Sequence, residues 1–206
     1  MPTNLSIIGS GGHAKVVVES LNVKSDISIE IFDEKSPTSD LFLGKYLVKF
    51  IEDLDDLTEY FHVAIGANEV RARISSDAKK IGKKPFNVLH KLATVFESAS
   101  LGNGIFLAAN SIIASEALIN EGCIINHAAI VDHDCIVGKY SHIGPNAKLG
   151  GGVRVGEKCL IGTGAVVLPN IKIGNNVVIG AGSLIVKDIN DNQVIFGVPG
   201  KEIRKK

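Results

Sequence analysis

The chain has 206 residues, and its 22 Lys and Arg residues are balanced by 22 Asp and Glu residues. Because this balance leaves no global basic field, nucleic acid and anionic membrane surfaces are not expected partners. Hydrophobic residues make up 45% of the sequence, which excludes a disordered chain, but aromatic residues make up only 5% and Trp is absent. The core is therefore expected to consist mainly of Val, Ile and Leu, in one large domain or two small ones.

Sequence features that direct a chain to a membrane or a secretory route are not evident. The segment Met1–Gly12 has no basic start, and its apolar run stops after Ile8. No later stretch approaches the roughly 18 apolar residues of a membrane span. A cytoplasmic protein is therefore expected. The three Cys residues form no C-x-x-C pair, so neither a disulfide scaffold nor a zinc knuckle is predicted.

Residues 1–90 alternate between short apolar runs and helical patterns, which predicts a small parallel α/β sheet similar to half of a Rossmann domain. The predicted strands are 5–8, 27–32, 61–65 and 85–88, and the predicted helices are 15–21 and 68–80.

A glycine-rich turn follows the first predicted strand. The pattern Gly9-x-Gly11-x-x-Ala14 matches the dinucleotide-binding fingerprint in its alanine form. Glycines allow a phosphate to approach the backbone, and the start of the helix supplies free N–H groups. Asp33 ends the second predicted strand, close to the position expected for an acid that binds a ribose. Since ninety residues are too few for two mononucleotide-binding halves, we expect a single nucleotide here.

A second pattern begins at Val95, from which every sixth residue as far as Ile185 is Val, Ile or Leu, without exception. A period of six fits neither an α-helix nor a simple alternating strand. It predicts a parallel β-helix over residues 91–206, in which three six-residue units close each coil of 18 residues. Cys123, Cys135 and Cys159 all occupy the position that Ala or Ser fills in other units, which predicts buried structural thiols.

The repeat, together with the closing segment Phe196–Lys201, resembles the hexapeptide-repeat acyltransferases. The resemblance implies a left-handed β-helix, a homotrimer, and acetyl-CoA as a co-substrate bound in the groove between neighbouring subunits. The glycine-rich turn, Asp33, the segment Ile65–Glu69 and Arg71 extend the resemblance to the sugar O/N-acyltransferases of the sialic-acid and bacillosamine type. In the nucleotide-aminosugar members of that family, the N-terminal module holds the UDP or GDP part of the acceptor.

Acetyl transfer from a thioester requires a base, for which histidine is suited because its pKa lies near neutral pH. The chain has six histidines. In the sequence Asp132-His133-Asp134, the family resemblance implies that His133 is the general base and Asp134 the acid that orients it, with Asp132 as a further helper.

The resemblance also assigns residues to the two substrates. His142 is expected to contact the acetyl group, and the Gly151 N–H to stabilise the oxyanion. Thr163 and Ala181 are expected to contact acetyl-CoA on later coils. The residues implied in acceptor binding are Gly11, Gly12, His13, Asp33, Gly66 and Asn126.

The sequence therefore predicts an acetyl-CoA-dependent N-acetyltransferase that acts on a nucleotide-linked 4-amino-4,6-dideoxy sugar. The nearest alternative is O-acetylation of sialic acid or of another surface-polysaccharide precursor. A metal enzyme on the same scaffold is a second alternative, although His127 and His133 are expected on adjacent faces that point apart, and no metal is predicted. A third is a nicotinamide sensor that uses the glycine-rich turn without catalysis.

Overall fold

The computed structural model describes residues 4–22, 27–34 and 41–205. An N-terminal parallel sheet has the strand order β3-β2-β1-β4-β5 and is accompanied by two α-helices and one short 3₁₀ helix, Leu54–Asp56. The strands are β1 (Asn4–Ile8), β2 (Ser28–Asp33), β3 (Val48–Phe50), β4 (Tyr60–Val63) and β5 (Lys84–Pro85). The helices are α1 (Gly12–Asn22) and α2 (Asn68–Lys80).

Burial explains why β1 and α1 form the centre of this unit. Residues 5–8 of β1 are fully buried between β2 and β4, as expected of an apolar strand within a parallel sheet. Helix α1 buries Ala14, Val17, Val18 and Leu21, which lie on one face at helical spacing. The predicted Rossmann-like half-domain is thereby confirmed. Strand β3 was not predicted, because its three residues carry only a short apolar pattern.

A left-handed β-helix follows, and its strands form the three sheets of a triangular prism. We call these sheets the docked face, the second face and the third face. The docked face contains β6 (Val88–Leu89), β9 (Phe106–Leu107), β12 (Ile124–Ile125), β15 (His142–Ile143), β18 (Leu160–Ile161), β21 (Val178–Ile179), β23 (Gln193–Phe196) and the antiparallel β24 (Lys201–Lys205). The second face contains β7 (Thr94–Val95), β10 (Ile112–Ile113), β13 (Ile130–Val131), β16 (Lys148–Leu149), β19 (Val166–Val167) and β22 (Leu184–Ile185). The third face contains β8 (Ser100–Leu101), β11 (Leu118–Ile119), β14 (Ile136–Val137), β17 (Arg154–Val155) and β20 (Lys172–Ile173).

The register confirms the coil length of 18 residues, since Ile113 pairs with Val131 and Val131 pairs with Leu149. From Leu107 to Ile185 the aliphatic residue of each unit is buried inside the prism, whereas Val95 on the first coil is 37% exposed. The three cysteines also lie inside, fully buried and without disulfides, as predicted. Their thiols donate hydrogen bonds to glycine carbonyls, Cys123 to Gly138, for example, at 3.1 Å.

The β-helix begins one unit earlier than the aliphatic series that starts at Val95. Leu89 lies six residues before Val95 and pairs with Leu107 in the docked face. The single strand predicted over 85–88 was therefore wrong: Pro85 ends β5 of the N-terminal sheet, whereas Val88 begins the first strand of the β-helix.

The N-terminal unit packs on the docked face. Leu5, Val17 and Val18 share one buried apolar cluster with Phe106 and Ile124 of that face. This contact determines which edges of the prism lie near the glycine-rich turn and which lie far from it. Among the described helices, none combines the length and apolar character that a membrane crossing requires.

Candidate active site

A cavity of about 560 Å³ lies over the glycine-rich turn, and we call it the glycine-loop cavity. Asp33 accepts hydrogen bonds from the backbone N–H of Ser10, at 2.8 Å, and from its hydroxyl, at 2.6 Å, both through Oδ2. The carboxylate therefore fixes the turn that opens α1. The residues that line the cavity are Gly9, Ser10, Gly11, Gly12, His13, Asp33, Glu34, Ala64, Ile65, Gly66, Val70 and Arg73.

His13 forms the part of this cavity nearest the β-helix. Its ring centroid lies 5.3 Å from that of Phe106 and 6.2 Å from that of His142. Burial, followed by the charges of His142, His62 and Arg71, lowers the pKa of His13 to about 3, so the imidazole is neutral. Its Nε2 atom is buried and has no hydrogen-bond partner among the described residues.

The tautomer of His142 follows from its neighbour Asn126. The Oδ1 atom of Asn126 accepts a hydrogen bond from the His127 N–H at 2.8 Å, which directs Nδ2 towards Nε2 of His142 at 3.1 Å. An amide nitrogen can only donate, so Nε2 of His142 accepts and the imidazole is neutral. Burial and the Arg71 charge lower the pKa of His142 to about 4, in agreement. The ring also hydrogen-bonds the backbone of Gly66, a residue of the cavity wall.

His133 occupies a different part of the prism, at the edge where the second and third faces meet. Its Nδ1 lies 2.7 Å from Asp134 Oδ2, and Asp132 Oδ1 accepts from the His133 backbone N–H at 2.7 Å. The hydrogen bond to Asp134, followed by the charge of Asp132, raises the pKa of His133 above its ordinary value. Since Nδ1–H faces the carboxylate, Nε2 carries the free lone pair. This is the arrangement of an oriented general base.

Gly151 lies one coil above His133, and its backbone is covered by the His133 ring. A Cβ atom at position 151 would come within 2.5 Å of the ring's Nε2 and Cε1 atoms. The Gly152 N–H donates to the His133 carbonyl at 2.9 Å, which fixes the spacing of the two coils. His133, Asp134 and Gly151 therefore form one local group. They line a cavity of about 740 Å³, the base cavity, together with Asp132, Gly150, Gly152, Arg154, Pro169, Asn170 and Lys172.

Some residues of the base cavity were not predicted, although the repeat contains a signal for them. Residues 18 positions apart stack on successive coils, so steps of 18 from Asp134 lead to Gly152 and Asn170. The same step connects Arg154 to Lys172, which pair on adjacent strands. Both of these side chains are exposed cations in the cavity wall.

Thr163 and Ala181 lie on the edge between the docked and second faces. They are exposed and stacked one coil apart, and the Gly182 N–H donates to the Thr163 carbonyl at 2.8 Å. His127 lies on the same edge and is also exposed. His127 and His133 are therefore on different edges, as expected. No group of three or more His, Cys, Asp or Glu side chains is placed to hold a metal ion within residues 4–22, 27–34 and 41–205.

The site residues predicted from the sequence fall into separate groups within one subunit. Gly11, Gly12, His13, Asp33 and Gly66 line the glycine-loop cavity, with His142 and Asn126 beside it on the docked face. The base cavity lies at the opposite edge of the prism, and the two cavities have no lining residue in common. His142 and Gly151, both expected near the acetyl group, are therefore not adjacent within one chain.

Comparison with known proteins gives two family matches. Residues 4–78 match the PglD N-terminal domain, and residues 152–187 match the bacterial transferase hexapeptide family. The curated UDP-N-acetylbacillosamine N-acetyltransferase of Bacillus subtilis (strain 168) is 35% identical over 114 residues. That alignment covers 52% of this chain and 51% of the relative, so the chain spans about half the length of the curated protein.

Solved structures resemble nearly the whole chain. A point mutant of GDP-perosamine N-acetyl transferase from Caulobacter crescentus, crystallised with CoA and GDP-perosamine, is 37% identical, with a TM-score of 0.92 and coverage of 98% of this chain and 97% of that one. The acetyltransferase domain of PglB from Neisseria gonorrhoeae FA1090, in complex with acetyl coenzyme A, is 34% identical. Its TM-score is 0.92, with coverage of 98% of this chain and 100% of that domain.

Proposed function

The chain belongs to the hexapeptide-repeat sugar acetyltransferases that use acetyl-CoA, and on that premise we propose that it N-acetylates a nucleotide-linked 4-amino-4,6-dideoxy sugar. The observation that carries the proposal is the pairing of His133 with Asp134 beside the Gly151 backbone. It provides an oriented base next to an oxyanion donor. The glycine-loop cavity supplies a separate place for a nucleotide.

In the proposed reaction, the acceptor diphosphate lies at the start of α1, where Gly11 and Gly12 expose backbone N–H groups. The sugar amine attacks the thioester carbonyl carbon as His133 Nε2 removes a proton from that nitrogen. The Gly151 N–H donates to the tetrahedral oxyanion, an interaction worth roughly 3 kcal/mol in comparable sites. Collapse breaks the C–S bond, and the departing thiolate of CoA takes the proton from the imidazolium.

Asp134 has two tasks in this mechanism. Its carboxylate holds the proton of His133 on Nδ1, so that Nε2 faces the substrate, and it stabilises the imidazolium that forms during the reaction. His13 lines the acceptor site, and we assign its neutral imidazole to the wall against which the nucleotide sugar packs. Thr163 and Ala181 are assigned to acetyl-CoA along their exposed edge.

The active enzyme is proposed to be a homotrimer with its active sites between subunits. Within one chain, the N-terminal unit covers the docked face, whereas His133 lies on the edge opposite that face. A base on one side of a prism cannot reach an acceptor bound on the other. A neighbouring subunit that presents its His133 edge to the glycine-loop cavity removes this difficulty. The cleft between the two prisms is then the proposed binding groove for acetyl-CoA.

The test is release of thiol from acetyl-CoA against a panel of UDP-, GDP- and dTDP-linked 4-amino sugars, with free sialic acid included. Wild type, His133→Ala and the control His90→Ala are compared. Loss of the base is expected to lower turnover by about 10²- to 10⁴-fold, whereas His90 lies on the first coil and its replacement leaves turnover unchanged. Turnover with sialic acid alone would instead establish O-acetylation. If the wild type released no thiol with any acceptor of the panel, the proposal would be overturned.

A further inference from the structure

Arg71 carries a buried positive charge that has no role in the reaction proposed above. It lies on α2, is only 2% exposed, and projects into the boundary between the N-terminal unit and the β-helix. Burial lowers its pKa to about 10, which leaves the guanidinium charged at neutral pH. A buried cation is costly unless its donors are all satisfied.

All five N–H groups of this guanidinium are engaged. On the β-helix side, Nε donates to the Gly122 carbonyl at 2.8 Å and Nη2 donates to the Tyr140 carbonyl at 2.7 Å. These two carbonyls lie on successive coils. Nη2 also donates to Asn68 Oδ1 at 2.8 Å, and the Asn68 amide donates to the Cys159 carbonyl, 2.9 Å away on the next coil. One side-chain pair therefore connects α2 to three coils.

The remaining guanidinium donors bind the wall of the glycine-loop cavity. Nη1 donates to the Ile65 carbonyl at 2.9 Å and to the Gly66 carbonyl at 3.2 Å. Ile65 and Gly66 both line that cavity, and the Gly66 backbone also hydrogen-bonds His142. Arg71 thus links the acceptor-side wall to the strand of the β-helix that carries His142.

Stability by itself does not account for this arrangement. The hydrogen-bond partners of the guanidinium within the described residues are four backbone carbonyls and one amide oxygen, and none is a carboxylate. A buried charge is costly unless it is both paired and hydrogen-bonded, and this guanidinium has no counter-ion among those partners. A rigid planar fork with five fixed donors does, however, set the positions of several carbonyls at once.

We propose that Arg71 is a positioning residue for acetyl transfer, which holds the Ile65–Gly66 wall of the acceptor site in register with the β-helix and its His142. This role depends on the proposed function, because it concerns the same acceptor. It predicts a selective defect: the acceptor binds less tightly and reacts more slowly, whereas acetyl-CoA affinity changes little, because Thr163 and Ala181 lie on an edge that Arg71 does not contact and His142 is expected to meet only the acetyl group.

The experiment compares wild type with Arg71→Lys, which keeps the charge but has three donors, and with Asn68→Ala, a milder change in the same network. The matched control is Glu69→Gln, which breaks the exposed 2.7 Å ion pair between Lys158 and the same helix at the same domain boundary. Steady-state kinetics with the best acceptor and calorimetric binding of acetyl-CoA are measured on the full-length protein.

For Arg71→Lys we expect an acceptor KM raised about tenfold and a kcat lowered about tenfold, with acetyl-CoA affinity within twofold of wild type. Asn68→Ala should show a smaller shift in the same direction, and Glu69→Gln none. Folded variants with unchanged acceptor KM and kcat would overturn the inference, as would an equal loss of acetyl-CoA affinity.

Should Arg71→Lys fail to fold, Asn68→Ala decides by the same criteria. Silence of wild type on the whole panel would overturn the proposed function and this inference together, whereas an active wild type with unaffected variants overturns the inference alone.

Discussion

The backbone of Gly151 leaves a space that the imidazole of His133 fills, because a Cβ atom at position 151 would lie 2.5 Å from Nε2 of that ring. The absence of a side chain on one coil thus determines where the base lies on the coil below. This relationship connects the repeat directly to the chemistry, since the two residues are 18 positions apart.

Replacement of Gly151 by Ala is expected to reduce kcat by about 10²-fold, because the methyl group displaces the imidazole by about an ångström. Stability should be nearly unchanged, since the atoms displaced belong to an exposed side chain. Gly138→Ala provides the contrast: its Cβ would lie 2.4 Å from the backbone of Gly156, so it should lower the melting temperature. Turnover and thermal unfolding of both variants check the prediction, and a Gly151→Ala protein with wild-type kcat would contradict it.

The pH dependence of catalysis should respond to Asp134. Its hydrogen bond raises the pKa of His133, and the base works only when neutral, so activity falls as the pH drops through that pKa. Asp134→Asn should move this acid limb to lower pH and also lower the maximal rate, because the imidazolium loses its carboxylate. Profiles of kcat/KM are compared with a single acceptor, so that the acceptor amine titrates identically in each case. Glu97→Gln, on the same prism edge two coils earlier, should leave the limb in place.

The sequence predicts the prism more completely than it predicts the site. A period of six places Ile113 beside Val131 and identifies the edges of the prism, because each unit must bury its aliphatic residue. The period contains no information about which face the N-terminal unit covers, since that depends on packing between Val17 of α1 and Phe106 of the docked face. For this reason, the separation of His133 from the glycine-loop cavity became evident only from the structure.

One buried histidine, His62, and two half-buried ones, His13 and His142, should make the fold sensitive to acid. Burial lowers the pKa of His13 to about 3 and those of His62 and His142 to about 4, so each stays neutral when folded but gains a proton near pH 6.5 when unfolded. The unfolded state therefore binds more protons below pH 6.5, and the free energy of unfolding should fall as the pH is lowered. Each histidine contributes a slope of up to about 1.4 kcal/mol per pH unit.

Unfolding by guanidinium chloride at several pH values between 5 and 6.5 measures how the free energy of unfolding changes with pH, in a range where most carboxylates do not titrate. His62→Gln, which can still donate to the Phe86 carbonyl that lies 2.9 Å from Nδ1, should reduce the slope by about one proton. An unchanged slope in this variant would show that His62 is not neutral in the folded protein.

The thiols should be inert in the folded protein. Burial raises the pKa of Cys123 to about 12 and that of Cys135 to about 11, and all three cysteines are inaccessible. Ellman's reagent should therefore detect no thiol at pH 8 in the native protein and three per chain in denaturant. Cys159→Ser should fold normally, because Ser141 makes the equivalent hydrogen bond to the Gly156 carbonyl at 2.7 Å. Rapid labelling of a native thiol would contradict the prediction.

Complementation tests whether the active site is shared between subunits. His133→Ala removes the base, and Gly12→Asp places a negative charge at the start of α1, where a Cβ meets no other atom, and should repel the acceptor diphosphate. Each homotrimer is expected to be inactive. In mixed trimers, an intact His133 edge from the Gly12→Asp chain can face an intact glycine-loop cavity from the His133→Ala chain. Unfolding and refolding the two variants together should therefore restore part of the activity, because such an interface has every required group. If base and acceptor site belonged to one chain, no mixture could be active, and mixtures that assemble as trimers but remain silent would refute the shared site.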